Sequence, residues 1–297
     1  MRSLIIGLVA AGSLATVSSA VLADCVNSGK SLGVSRTIKI DSTGGPKFGT
    51  IQYPSTIKLK EQEVILTFDD GPHPQYTPKI LKALAAHCTL ATFFPVGRMA
   101  RAYPKTLHEV VKGGHTIGGH TYRHPNLARL SKRSAIRDIE KGFQVIRKHA
   151  GDNVAPFFRF PFLSDSKRLR KYAAERDLAI FSVDIVSNDS YTPNSDRLVR
   201  RTIAQLKRKG GGIVLFHDIK RSTARGMMKF LNQLKANNFK VVHVVAKTKF
   251  SEPAPMYLTG SAADTGSSVK STKKSKPKPK KAPAKSFGPR DVFDFPT

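Results

Sequence analysis

Between residues 64 and 245 the chain alternates short β-branched or aromatic runs with helix-length amphipathic segments, and this rhythm restricts it to repeated strand and helix units. The predicted strands cover residues 64–68, 90–96, 115–119, 157–160, 179–183, 213–216 and 241–245. The predicted helices cover 77–87, 103–112, 131–149, 167–176, 195–208 and 222–236, where apolar positions fall three or four apart and several segments open on a Ser or Thr able to cap them. Seven such strands suggest a parallel (β/α) barrel. An open doubly wound sheet leaves the same rhythm, so periodicity alone does not decide closure.

The flanks differ in character. Arg2 precedes an apolar run from Leu4 to about Val17 and small residues ending at Ala23, so 1–23 reads as a signal peptide and predicts a periplasmic or secreted protein. Residues 24–62, rich in Ser, Thr and Gly, read as an N-terminal wrapping arm, 63–258 as the folded domain, and 259–297 as a disordered Lys/Pro-rich tail. The chain holds 50 Lys and Arg against 21 Asp and Glu, a formal charge of +29, and the tail supplies only a minor part of the excess. In an exported protein such a charge favours an anionic envelope surface, reached through the tail or the body, although a solubilising surface explains the body equally well. No nucleic-acid partner is expected, because no base-stacking aromatic pattern accompanies the lysines. Two cysteines exclude a four-thiolate zinc site; Cys25 and Cys88 can pair in an oxidising compartment.

Five stretches at or just after predicted strand ends carry groups capable of chemistry. In Thr67-Phe68-Asp69-Asp70-Gly71-Pro72 a strand stops at two adjacent carboxylates and a turn, where one can be fixed on a metal while its neighbour takes a proton. His120 and His124, four apart, can reach one ion, and with Asp70 they make a two-His, one-carboxylate site that leaves positions for water and substrate. His115 begins a strand and is a poorer ligand. Arg159, set among Phe158, Phe160 and Phe162, needs a carboxylate partner if it is desolvated. Asp184 and Asp189 bound a polar loop, and an apolar strand through Leu215 delivers His217 at its end. Taken singly each stretch is also readable as a core strand followed by an ordinary loop.

Together, in this order, these strings resemble the NodB-type polysaccharide deacetylases, carbohydrate esterase family four; Ala91-Thr92-Phe93-Phe94 with Gly97 is similar to the family's second strand. The resemblance implies a distorted (β/α) barrel of seven or eight strands and removal of acetyl groups from N-acetylated sugars with one divalent ion, usually zinc. Carried across by position, it makes Asp69 the catalytic base, Asp70, His120 and His124 the metal ligands, and His217 the acid. It further implies that Arg159 orients Asp69, Asp189 charges His217, Leu215 lines the acetyl pocket, and the Phe162 N–H binds the oxyanion. Family members usually carry Trp after the aspartate of the fourth motif; this chain has Ser190 there and no Trp, which leaves Asp184 as the competitor of Asp189. The expected substrate is N-acetylglucosamine-containing envelope polysaccharide or peptidoglycan. The alternatives are an O-acetyl ester or small-amide hydrolase on the same scaffold, and a non-catalytic polysaccharide binder.

Overall fold

The computed structural model describes residues 31–250; the signal-peptide segment, Cys25 and the tail lie outside them. Cys88 takes part in a disulfide. In chain order the elements are β1 (Arg36–Ile40), β2 (Lys47–Phe48), β3 (Glu63–Asp69), α1 (Thr77–Ala86), β4 (Thr92–Phe94), α2 (Gly97–Ala102), α3 (Pro104–Lys112), β5 (Thr116–Gly119), α4 (Lys132–Ala150), β6 (Val154–Phe158), α5 (Lys167–Glu175), β7 (Ala179–Phe181), β8 (Ile185–Val186), α6 (Ser195–Lys209), β9 (Gly212–His217), α7 (Arg221–Ala236) and β10 (Lys240–Ala246). Among the described residues every strand pairing is parallel. No described helix is long and apolar enough to cross a membrane.

The sheet closes into the expected distorted barrel. β9 pairs with β3, and the path continues through β4, β5 and β6 to β7. Closure then depends on one interrupted strand: β7 pairs with β6, and a few residues later β8 pairs with β9. Sequence periodicity suggests a single strand over 179–183; the observed strand stops at Phe181, and a second short strand, absent from that reading, begins at Ile185 with a different neighbour. The arm differs from expectation as well. Its residues 36–40 form β1, which runs beside β10 from Arg36↔Val242 to Ile40↔Ala246, and β2 pairs with β7. Two short, half-exposed strands give little periodic signal, which is why a wrapping arm is all that can be read there. The short helix α2 is also absent from the sequence reading.

Alternation along the strands separates two apolar clusters. Val64, Leu66 and Phe68 of β3, with Val214 and Phe216 of β9, face the helices together with Ile80, Ile139, Phe143 and Phe230. Ile65 and Ile213 face inward with Phe94, Phe157, Phe181 and Leu215. The inward positions therefore run Ile65, Thr67, Asp69 along β3, and Ile213, Leu215, His217 along β9, so each strand changes from apolar to functional at its C-terminal end. Helix α4 is capped by the Ser131 hydroxyl, which accepts from the Ser134 N–H at 3.2 Å, and carries Arg147, Lys148 and His149 in its last turn, opposite the negative end of its dipole.

At the other end of the barrel Asp184, 4% exposed, accepts from the Thr50 N–H (2.9 Å), the Thr50 hydroxyl (2.8 Å), the Thr56 hydroxyl (2.9 Å) and the Ile213 N–H (2.9 Å). It fastens the arm to the start of β9. Asp184→Ala strands these donors, and since hydrogen bonds to a charged group each contribute about 1.5–3 kcal/mol, stability should fall by roughly 3 kcal/mol or more in denaturant titrations, with ion binding at the opposite end unchanged.

Candidate active site

Asp69 ends β3 on the inward face, and Asp70 follows in a left-handed conformation, φ +78°. That backbone breaks the strand alternation, so both carboxylates face one site: His120 Nε2 lies 3.9 Å from Asp69 Oδ2 and 3.5 Å from Asp70 Oδ1. His120 follows β5. Its Nδ1 is 2.7 Å from the Arg159 carbonyl oxygen, to which the ring donates, leaving the Nε2 lone pair toward Asp70. His124, φ +61°, is brought back to the same place by a tight turn in which its N–H donates to the Thr121 hydroxyl at 3.0 Å, and its Nε2 is 3.2 Å from Asp70 Oδ1.

The donor atoms of Asp70, His120 and His124 all lie within 4.8 Å of one another, and this trio is the one such grouping of potential ligands among the described residues. Asp70 Oδ1 is buried without a hydrogen-bond partner. Donors about 2.0–2.1 Å from a tetrahedral ion stand roughly 3.3 Å apart, close to the spacing between Asp70 and either imidazole. Burial lowers His120 to about 3 and lowers His124, so both rings are neutral and their lone pairs available. An orphaned buried carboxylate oxygen facing two neutral imidazoles fits a divalent ion of zinc type. His115 is elsewhere: its Nδ1 accepts from the Ala91 N–H.

Arg159, at the end of β6, has no exposed surface. Its Nη1 donates to Asp69 Oδ1 at 2.7 Å and to the Thr67 hydroxyl at 2.8 Å, Nε to the Phe181 carbonyl at 3.0 Å, and Nη2 to the Ser182 carbonyl at 3.2 Å; the guanidinium also lies 4.4 Å over the Phe94 ring. The carboxylate partner expected for this Arg is thus Asp69. Burial pushes Asp69 up to about 6 although Arg159 pulls it down, so it is ionised at neutral pH yet close enough to that pH to take a proton.

Asp189 is the carboxylate at His217; Asp184 is not. Asp189 Oδ1 accepts from His217 Nδ1 at 2.7 Å, and its Oδ2 from the His217 N–H (2.7 Å) and the Thr223 hydroxyl (2.6 Å). Burial alone would lower His217, but Asp189, Asp70 and Asp69 outweigh it and hold the imidazole at about 10, hence protonated. Its Nε2 is 3.9 Å from Asp70 Oδ2. Leu215 lies two residues before His217 on the same inward face. Phe162, φ +59° and 56% exposed, places its ring 4.7 Å from that of His124. Sequence reasoning missed Thr67, Thr223 and Asp218. The first two are hydroxyls inside ordinary apolar or helical text; Asp218, next to His217, offered a signal by its position. Burial raises Asp218 to about 7 against the donors Thr77 and Gly71 that lower it.

A family model described as polysaccharide deacetylase matches residues 56–181. Over 201 residues the chain is 32% identical to the peptidoglycan-N-acetylmuramic acid deacetylase of Bacillus subtilis, a match covering 67% of this chain and 42% of that protein, so the chain spans less than half of that relative. It is 30% identical to the chitooligosaccharide deacetylase of Sinorhizobium fredii, over 64% of this chain and 80% of that protein. Among solved structures, the peptidoglycan deacetylase of Bdellovibrio bacteriovorus superimposes with a TM-score of 0.68 and 33% identity, covering 75% of this chain and 63% of that one.

Asp70 belongs to the trio of potential ligands and Asp69, paired with Arg159, stands outside it. Titration with zinc should show Asp70→Ala and His124→Ala losing the ion altogether, whereas Asp69→Asn, outside the ligand trio, retains it; equal zinc retention by all three variants contradicts the assignment.

Proposed function

The chain belongs to the polysaccharide deacetylase family, and from that premise we propose that it is a metal-dependent hydrolase removing N-acetyl groups from N-acetylglucosamine-containing envelope polysaccharide or peptidoglycan. The observation that carries this reading is geometric: beside one ion-binding trio stand Asp69, with Oδ1 held by Arg159 at 2.7 Å and Oδ2 toward His120, and His217, with Nδ1 on Asp189 at 2.7 Å and Nε2 toward Asp70. Hydrolysis of an amide needs both, since water must lose a proton and an amine leaves poorly unless it gains one. The substrate class is supported by relatives that are deacetylases of peptidoglycan and of chitooligosaccharide. The reading also includes export directed by residues 1–23 and engagement of an anionic envelope surface by the basic tail.

Asp70, His120 and His124 would hold a divalent ion such as zinc, which would supply Lewis-acid polarisation of the acetyl carbonyl and a lowered pKa of water. Asp69 takes the proton of the attacking water through Oδ2, since Oδ1 is held by Arg159. The Phe162 N–H donates to the carbonyl oxygen as charge develops there. His217 gives its Nε2 proton to the departing nitrogen, while Asp189 keeps Nδ1 engaged and the ring oriented. Leu215 provides the apolar wall against which the acetyl methyl rests. Acetate and a sugar with a free amine result.

Incubation of the zinc-loaded full chain with N-acetylglucosamine oligomers, peptidoglycan and acetylated xylan should release acetate from the first two. Release from xylan alone would assign ester chemistry instead, and no release from any would leave a binder. With the accepted substrate, Asp69→Asn should lower turnover by about 10²- to 10⁴-fold, the usual contribution of a general base. The acid form of His217 is lost as pH rises through its pKa. Removing the Asp189 charge lowers that pKa, so Asp189→Asn should move the alkaline limb of the kcat/KM profile to lower pH; an unmoved limb would dissociate His217 from the acid role.

A further inference from the structure

Asp218 is 1% exposed, and none of the roles assigned above uses its carboxylate. Its Oδ1 accepts from the Gly71 N–H at 2.9 Å and its Oδ2 from the Thr77 hydroxyl at 2.6 Å. The Thr77 oxygen in turn accepts from the His73 N–H at 2.8 Å. One buried carboxylate therefore binds the loop that leaves β3 to the first turn of α1. The fit is close: a Cβ on Gly71 would stand 2.0 Å from Asp218 Oδ2, so the carboxylate fills the space that any side chain there would need.

This loop contains Asp70, whose left-handed backbone is unfavourable for a residue with a Cβ and has to be held by its surroundings. The main-chain tethers are the Asp70 N–H to the Phe94 carbonyl at 3.2 Å and the Val96 N–H to the Gly71 carbonyl at 3.1 Å. Among the described hydrogen bonds, Asp218 supplies the one side chain bonded to the backbone of Asp70 or Gly71. We infer that Asp218 is a positioning residue: its clamp on Gly71 and Thr77 aims the Asp70 carboxylate at His120 and His124, and so sets the affinity of the site for its cation. The inference rests on the metal-dependent reading above and adds to it a residue that acts on the ion through Asp70.

The test is zinc affinity of the full chain, measured by competition with a chelator, alongside the thermal midpoint and kcat on N-acetylglucosamine oligomers. Asp218→Asn keeps the volume but cannot accept from both donors, Thr77→Val removes the hydroxyl, and Thr77→Ser keeps it. Expected is a rise of about 10- to 100-fold in the zinc dissociation constant for Asp218→Asn and Thr77→Val, as for other groups that orient a ligand, with Thr77→Ser close to wild type and kcat of the first two restored at saturating zinc. A structural role alone would lower the thermal midpoint without being rescued by zinc. Should Asp218→Asn fail to fold, the Thr77→Val and Thr77→Ser pair carries the test. Wild type binding zinc tightly while the variants bind it equally overturns the inference alone; wild type binding none removes the proposed function and the inference with it.

Discussion

A guanidinium taken wholly out of water needs an anion beside it and an acceptor for every donor, and the functional end of this barrel is arranged around one. Arg159 draws on Asp69 and Thr67 from β3, on carbonyls of Phe181 and Ser182 at the end of β7, and on the face of Phe94 from β4. Desolvating such a pair is costly enough that a hydrophobic substitute often serves stability equally well. What the pair accomplishes is geometric and electrostatic: it keeps a fully buried carboxylate charged, and it occupies one oxygen so that the other is the one presented to the site.

Three histidines stand beside two aspartates, and they are held in opposite states. His120 and His124 both face Asp70, with Asp69 farther from His120 at 3.9 Å, and burial keeps them neutral. His217 has Asp189 to itself, doubly engaged through ring and backbone, and remains a cation. The difference lies in how many negative charges each ring receives and how well they are aligned. An ion and a proton donor can thereby stand within one small space without exchanging roles.

The sequence made the site more legible than the framework around it. Asp69, Asp70, His120, His124, Arg159, Asp189 and His217 stand in short strings at strand ends, and the structure draws all seven together. Even the choice between Asp184 and Asp189, which spacing could not make, follows once β8 is seen to place Asp189 against His217 and leave Asp184 at the far end. Other features were not legible for physical reasons. β1 and β2 are held by pairing with distant β10 and β7, and although Ile38 and Ile40 alternate with exposed Thr37 and Lys39, five and two residues are too short a run to announce a strand. The break between β7 and β8 depends on which neighbour each half meets. Asp218 reads as a loop acid until Gly71 and Thr77 are found on it.

The order of the parallel strands has a consequence for how the molecule comes into being. β3, β4 and β5 are neighbours both in the ladder and along the chain, so Asp70, His120 and His124 belong to one early, compact segment. His217 belongs to another. It reaches Asp69 only when β9 closes against β3 across most of the domain, a long-range pairing of the slow kind. The cation trio is thus drawn from neighbouring strands, whereas the groups that fix its geometry, the Arg159 carbonyl on His120 and Asp218 on the Gly71 N–H, arrive with β6 and β9.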